Sequence, residues 1–116
     1  MKMEFGKTEM LQGAPATLGA AIVAILISIQ IALAQDKAKI EQGEAVYNDY
    51  CFTCHGEKLV SSGQTFDLRR LMIEDRVRFE TSVRMGKNQM PPWKDVLTAE
   101  QIDLLWNFIR ANAFQK

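Results

Sequence analysis

Cysteine is nearly absent from this chain of 116 residues: there are two, at positions 51 and 54. A pair so close together cannot staple distant parts of a fold, so a disulfide framework is excluded and the two thiols read as a site. Histidine is scarcer still, with His55 the only one. Net charge is missing too, since 14 Lys and Arg balance 14 Asp and Glu, and the chain has no bulk attraction for nucleic acid or anionic lipid. There are three prolines, none of them between His55 and Pro91. No internal repeat or low-complexity tract occurs, and no run reads as a paired strand closed by a hairpin turn. What remains is one small all-α domain.

The one long apolar run lies near the start. Ala16 to Ala34 carries no charged residue, Lys2 and Lys7 precede it, and it ends in Ala32-Leu33-Ala34 before Gln35-Asp36. A basic start, an apolar stretch and small residues at a cleavage point are the layout of a secretory signal. Glu4 and Glu9 offset the lysines, and a run of about 20 apolar residues is also long enough to span a bilayer. The expectation is therefore a signal peptide over 1–34, with a retained membrane anchor as the rival, and a domain over 35–116 facing an oxidising compartment outside the cytoplasm. No cysteine follows Ala34 directly and no Arg-Arg pair precedes the run, which argues against a lipoprotein anchor and for export of an unfolded chain. A domain of that size buries little surface and needs a staple.

Periodicity predicts three helices. Ile40, Gly43, Tyr47 and Tyr50 recur at three- and four-residue steps within Lys37 to Tyr50, and Val77, Phe79 and Val83 mark a second helix from Glu74 to Met85, with Gly86 as its stop. The third is the best defined. Thr98 stands as its cap with Gln101 three residues on, and Ile102, Leu105, Trp106 and Ile109 form a stripe widened by Leu104 and Phe108. Between them lie loops over 56–71 and 86–97. The second contains Met90-Pro91-Pro92-Trp93, where the prolines supply no N–H to continue a helix.

Cys51-Phe52-Thr53-Cys54-His55 is C-x-x-C-H, the attachment signature of c-type haem. Two thiols three apart on a helical turn reach two vinyl groups at once, and the next residue turns its imidazole to the iron. A dithiol redox site would want a βαβ setting, and a zinc site four ligands; the chain offers neither. The expected cofactor is one covalent haem c held by Cys51, Cys54 and His55. With a single histidine, the sixth ligand falls to a methionine or to none. Met72 stands among apolar neighbours as a core filler, Met85 ends a helix, and Met90 sits where two prolines fix the backbone. Met90 is the expected second metal ligand, with Met85, Met72 or an open site as the alternatives.

These residues resemble the small monohaem cytochrome c family of bacterial periplasms over about Ile40 to Ala113. In that family a glycine and an aromatic on the first helix cross a leucine-x-x-aromatic pair on the last; here Gly43 and Tyr47 match, with Leu105 and Phe108. A narrower likeness, to cytochromes that accept electrons from quinoprotein (PQQ-dependent) alcohol dehydrogenases, rests on Asp67-Leu68-Arg69, on Phe79, Val83 and Gly86, and on Met90-Pro91-Pro92-Trp93. It implies a cytochrome c fold wrapped around one haem, and a monomeric electron carrier rather than an enzyme. The donor would be such a dehydrogenase, and the acceptor an oxidase or another cytochrome. Where relatives have a proline before Asp-Leu-Arg, this chain has Phe66, so a carbonyl at Thr65 or Phe66 would orient His55.

Basic residues outnumber acidic ones from Arg69 to Lys94, and the balance reverses from Asp36 to Glu57. Arg69 or Arg70 suits bidentate pairing with a haem propionate. Trp93 would donate to the other propionate or cover the haem edge. A basic rim near Met90 would steer an acidic partner. The competing function is a sensor or enzyme with an open iron that binds a gas or peroxide.

Overall fold

The computed structural model describes residues 16–114. The described residues divide into two compact units, 16–32 and 33–114. The basic start of the expected signal, Lys2 and Lys7, lies outside the described residues.

Four α-helices follow in order: α1 Ala16–Tyr50, α2 Phe52–His55, α3 Arg76–Met85 and α4 Ala99–Ala111. No named strand occurs among the described residues, and the class is all-α as expected. The first helix begins at Ala16 rather than near Lys37. Nothing between Ala20 and Gln42 breaks a helix: alanine, leucine, glutamine, lysine and glutamate are strong helix formers, and glycine and proline are missing there. In the first unit, Leu18, Ile22, Val23, Ile25, Leu26, Ile27, Ile29 and Ile31 are all exposed. They point in every direction around the helix axis rather than along one stripe, the pattern of a segment that wants an apolar medium on all sides.

The second unit is built on the contact between the end of α1 and α4. Gly43 makes it possible: a Cβ there would stand 2.0 Å from the Leu104 carbonyl oxygen and 2.8 Å from Cβ of Phe108. Tyr47, one turn on, meets the Phe108 ring at 5.4 Å. The expected crossing is present, with the backbone of Leu104 rather than Leu105 under the glycine; Leu105 itself is buried in the core. Thr98 and Gln101 close the capping box on α4, with Gln101 N donating to Thr98 Oγ1 at 3.1 Å and Thr98 N to Gln101 Oε1 at 2.9 Å.

Helix α3 starts at Arg76, two residues later than expected, because Ile73–Asp75 forms a 3₁₀ turn in which the Asp75 carboxylate accepts from Met72 N at 2.9 Å. Phe79 packs on Trp106 with ring centroids 5.2 Å apart. Arg76 bonds both Glu80 on its own helix, at 2.6 Å, and Asp103 on α4, at 2.9 Å. The expected loop over 56–71 is not featureless, since it holds 3₁₀ turns at Glu57–Leu59 and Leu68–Arg70. The second is capped by the Asp67 carboxylate, which accepts from Arg69 N, and both are too short for helical periodicity to register.

Candidate functional site

The C-x-x-C-H residues occupy one turn of helix leaving α1. Cys51 N donates to Tyr47 O at 2.8 Å, His55 N to Cys51 O at 3.0 Å and Gly56 N to Phe52 O at 2.8 Å. Gly56 then turns the chain away with φ of 91°, and a Cβ there would meet the Val60 carbonyl oxygen at 2.0 Å. The turn is pinned from behind and from the side. The Tyr47 hydroxyl donates to Gly56 O at 2.6 Å, and its own pKa is pushed up to about 12 by burial, with Cys51 adding to the effect. Thr65 Oγ1 donates to Cys54 O at 3.1 Å, and Ser61 Oγ to Thr65 O at 2.9 Å.

Met90 is held by a two-residue turn. Lys87 N donates to Met90 O at 3.0 Å and Met90 N to Lys87 O at 2.9 Å, with Asn88 in the left-handed region at φ 55°. Gly86, at φ 75°, lies under this turn, where a Cβ would be 2.6 Å from Met90 O and 2.9 Å from Pro92 N. Trp93 N donates to Val83 O at 2.9 Å, which clips the Pro-Pro-Trp segment to the end of α3.

These pieces face one cavity of about 780 Å³. Cys51, Cys54, His55, Met90 and Trp93 all lie on its wall, together with Tyr47, Phe79, Val83, Leu105 and Ile109. The other two candidate methionines do not: Met72 and Met85 are 47% and 63% exposed and absent from the lining. Trp93 meets Tyr50 edge-on at 5.7 Å, and both rings belong to the wall.

The electrostatics suit an attachment site better than a redox dithiol. Burial pushes the Cys51 thiol up to about 11, and Cys54 adds to this, whereas a thiol that exchanges disulfides needs a depressed value. Burial lowers the affinity of His55 for a proton, and the nearby Phe66 carbonyl opposes it. His55 Nδ1 is buried without a formed hydrogen bond. No group of three His, Cys, Asp or Glu side chains converges as a metal cage among the described residues. The residues present fit a haem: an apolar cavity of that size, two thiols and one neutral imidazole on its wall, and a thioether brought to the same space.

Arg69 is placed otherwise than its expected role requires. Its guanidinium pairs with Asp67 through both carboxylate oxygens, at 3.0 and 2.8 Å, stacks 4.5 Å over the Phe114 ring, and does not line the cavity. Asp67 caps the Leu68–Arg70 turn by accepting from Arg69 N, so the Asp-Leu-Arg motif closes on itself. Arg70, the other candidate, is exposed and also off the wall. The cations that do line the cavity are Arg78 and Lys87, which sequence reasoning missed. The signal available for Arg78 was its place one turn before Ser82 and beside Phe79, both of them wall residues.

Residues 38–109 match the family described as cytochrome c oxidase, cbb3-type, subunit III. The chain is 38% identical over 80 residues to the quinohemoprotein alcohol dehydrogenase ADH-IIG of Pseudomonas putida, covering 67% of this chain and 11% of that protein. It is 25% identical over 80 residues to the quinohemoprotein alcohol dehydrogenase ADH IIB of the same organism, covering 66% and 12%. It is 31% identical over 80 residues to cytochrome c6 of Euglena gracilis, covering 61% of this chain and 90% of that protein. The chain thus spans about a tenth of the length of the two dehydrogenases but matches nearly the whole of the small cytochrome. No solved structure matches it.

Proposed function

The chain belongs to the cytochrome c family, whose cofactor is covalent haem c and whose work is electron transfer, and from that premise we propose a single-electron carrier closed by His55 and Met90 and working outside the cytoplasm. The observation that carries this reading is the meeting of Cys51, Cys54, His55 and Met90 on one cavity wall. When bound, the haem supplies a one-electron couple at iron. The chain's part would be to attach it through two thiols, orient His55, exclude water and keep the His55 and Met90 side chains still.

Stillness at Met90 comes from the clipped turn, whose backbone is fixed by two reciprocal hydrogen bonds and two prolines. A ligand on a rigid loop loses little energy to reorganisation when the iron changes state. His/Met ligation places such a haem at a higher potential than two nitrogen ligands would. The buried Tyr47 hydroxyl and the Thr65 bond hold the attachment turn in the same way. An open-iron sensor is the weaker reading, because it needs Met90 away from a cavity that Met90 lines.

As donor we infer a quinoprotein alcohol dehydrogenase, with an oxidase or another cytochrome as acceptor. Support comes from the likeness to cytochrome sequence inside two quinohemoprotein alcohol dehydrogenases. Residues 1–34 carry the chain across a membrane, with cleavage after Ala34 releasing 35–116 into the periplasm. A second reading keeps the segment as an anchor, favoured by an apolar helix long enough to cross a bilayer.

A potentiometric titration of the matured protein tests the carrier role. One covalent haem per chain and a single one-electron wave are expected. Rapid reduction by a quinoprotein alcohol dehydrogenase supplied with alcohol would support the donor. Reduction no faster than that of an unrelated haem protein would remove it.

A further inference from the structure

The fully ionic side chains on the cavity wall are all of one sign. Its described lining contains two permanent cations, Arg78 and Lys87, and not one carboxylate. Haem c brings two propionate groups, and a carboxylate taken out of water needs a cation or several donors facing it. The conspicuous arginine of the sequence stands elsewhere: Arg69 is held in a two-point pair with Asp67 and does not line the wall.

Arg78 has the right surroundings. It projects from the first turn of α3, on the helix that also supplies Phe79, Ser82 and Val83 to the wall. One guanidinium nitrogen is held by Asp75 at 3.1 Å, with the side chain 53% exposed, and the guanidinium lies 5.7 Å from the centre of the Phe66 ring. Asp75 fixes the group through one nitrogen and Phe66 lies beside it, while further N–H donors remain for a planar carboxylate. Lys87, by contrast, sits on the exposed Met90 turn and offers a flexible point charge.

We propose that Arg78 is the counter-ion of a haem propionate, taking the role that the sequence pattern suggests for Arg69. This rests on the haem reading of the cavity. Ferrous haem carries one positive charge fewer than ferric haem, so a cation beside the haem carboxylate favours the reduced form. Arg78 is a positioning and tuning residue, and its removal leaves a carboxylate charge unopposed.

The test is the midpoint potential, at fixed pH and ionic strength, of the matured full chain and of Arg78→Gln, Arg78→Lys, Lys87→Gln, Arg69→Gln and Lys94→Gln. Arg78→Gln should keep covalent haem and shift to lower potential, Arg78→Lys should recover most of the shift, and Arg69→Gln and Lys94→Gln should stay at the wild-type value. Equal shifts for Arg78→Gln and Lys94→Gln would reduce the effect to diffuse surface charge and overturn the proposal. A shift in Lys87→Gln alone would overturn it in favour of Lys87. If Arg78→Gln does not mature, Arg78→Lys must; failure of both makes Arg78 a folding residue and ends the proposal. Failure of the underlying haem reading would show separately, as wild-type protein without covalent haem.

Discussion

Burial raises the pKa of the Cys51 thiol, and that suits covalent attachment better than redox cycling. Replacing either cysteine by serine should leave haem extractable into acid solvent or prevent accumulation, read on a haem-stained gel; two single variants that both retained covalent haem would refute the assignment. At Met90 the expected outcome is different. Met90→Ala should keep the haem attached and open the iron to carbon monoxide, whereas Met72→Ala and Met85→Ala, on exposed side chains off the wall, should not. Asp67 gives a pH dependence. Its hydrogen bond to Arg69 holds the carboxyl below its ordinary value, so the folded state releases that proton more readily than the unfolded chain. The stabilisation is complete above the ordinary carboxylate range and is lost as pH falls through the lowered value. Asp67→Asn should therefore lower the thermal midpoint at neutral pH and flatten its fall on the acid side.

At this scale the sequence disclosed the attachment residues because C-x-x-C-H compresses a whole site into five positions. Met90 stands out in the sequence because prolines mark a rigid loop, and its side chain lies on the cavity wall. Arg69 is placed differently from its expected role for a local reason: Asp67 stands two residues away and pairs with it through Nε and Nη2. Arg78 stayed hidden because nothing in spacing alone says which face of α3 looks onto a cavity.

Among elements, the contact of α1 with α4 is the most exacting. Alanine in place of Gly43 gains helix propensity of about 1 kcal/mol but puts a methyl against a backbone carbonyl that cannot rotate away. Overpacking of that kind costs about 1–3 kcal/mol, and the rigidity of the obstacle places Gly43→Ala toward the upper end. A lower denaturant midpoint in the holoprotein is expected, and an unchanged one would mean that the two helices separate freely. Gly86→Ala acts on the Met90 turn instead, where a Cβ meets Met90 O and φ of 75° disfavours any side chain. It should weaken the far-red sulfur-to-iron band while leaving haem content unchanged. Of the elements, α4 was the most legible, since its cap, box and stripe agree with one another. The 3₁₀ turns at 57–59, 68–70 and 73–75 were not, because three residues are too few for a period to show.

As a whole, the second unit is a shell whose interior is shared between a cluster of Tyr47, Leu59, Ile102, Leu105 and Ile109 and a cavity of about 780 Å³. A domain of this size buries little apolar area of its own, and a covalent apolar group lining that cavity would add to it. Chain produced without haem should show weak hydrogen-exchange protection and no sharp unfolding transition, and maturation should restore both. The proposed location outside the cytoplasm rests on the apolar segment before it. N-terminal sequencing of protein purified from cells is expected to begin at Gln35, and a start at or near Met1 together with membrane retention would establish the anchor.

The central claim, a closed iron between His55 and Met90, is tested most directly by the absorption spectrum of the matured protein, oxidised and reduced, with and without carbon monoxide. A low-spin spectrum with the weak far-red band of sulfur on ferric iron, unmoved by carbon monoxide, is the expected result. A high-spin spectrum that carbon monoxide shifts at once would contradict it and give the open-iron reading the lead.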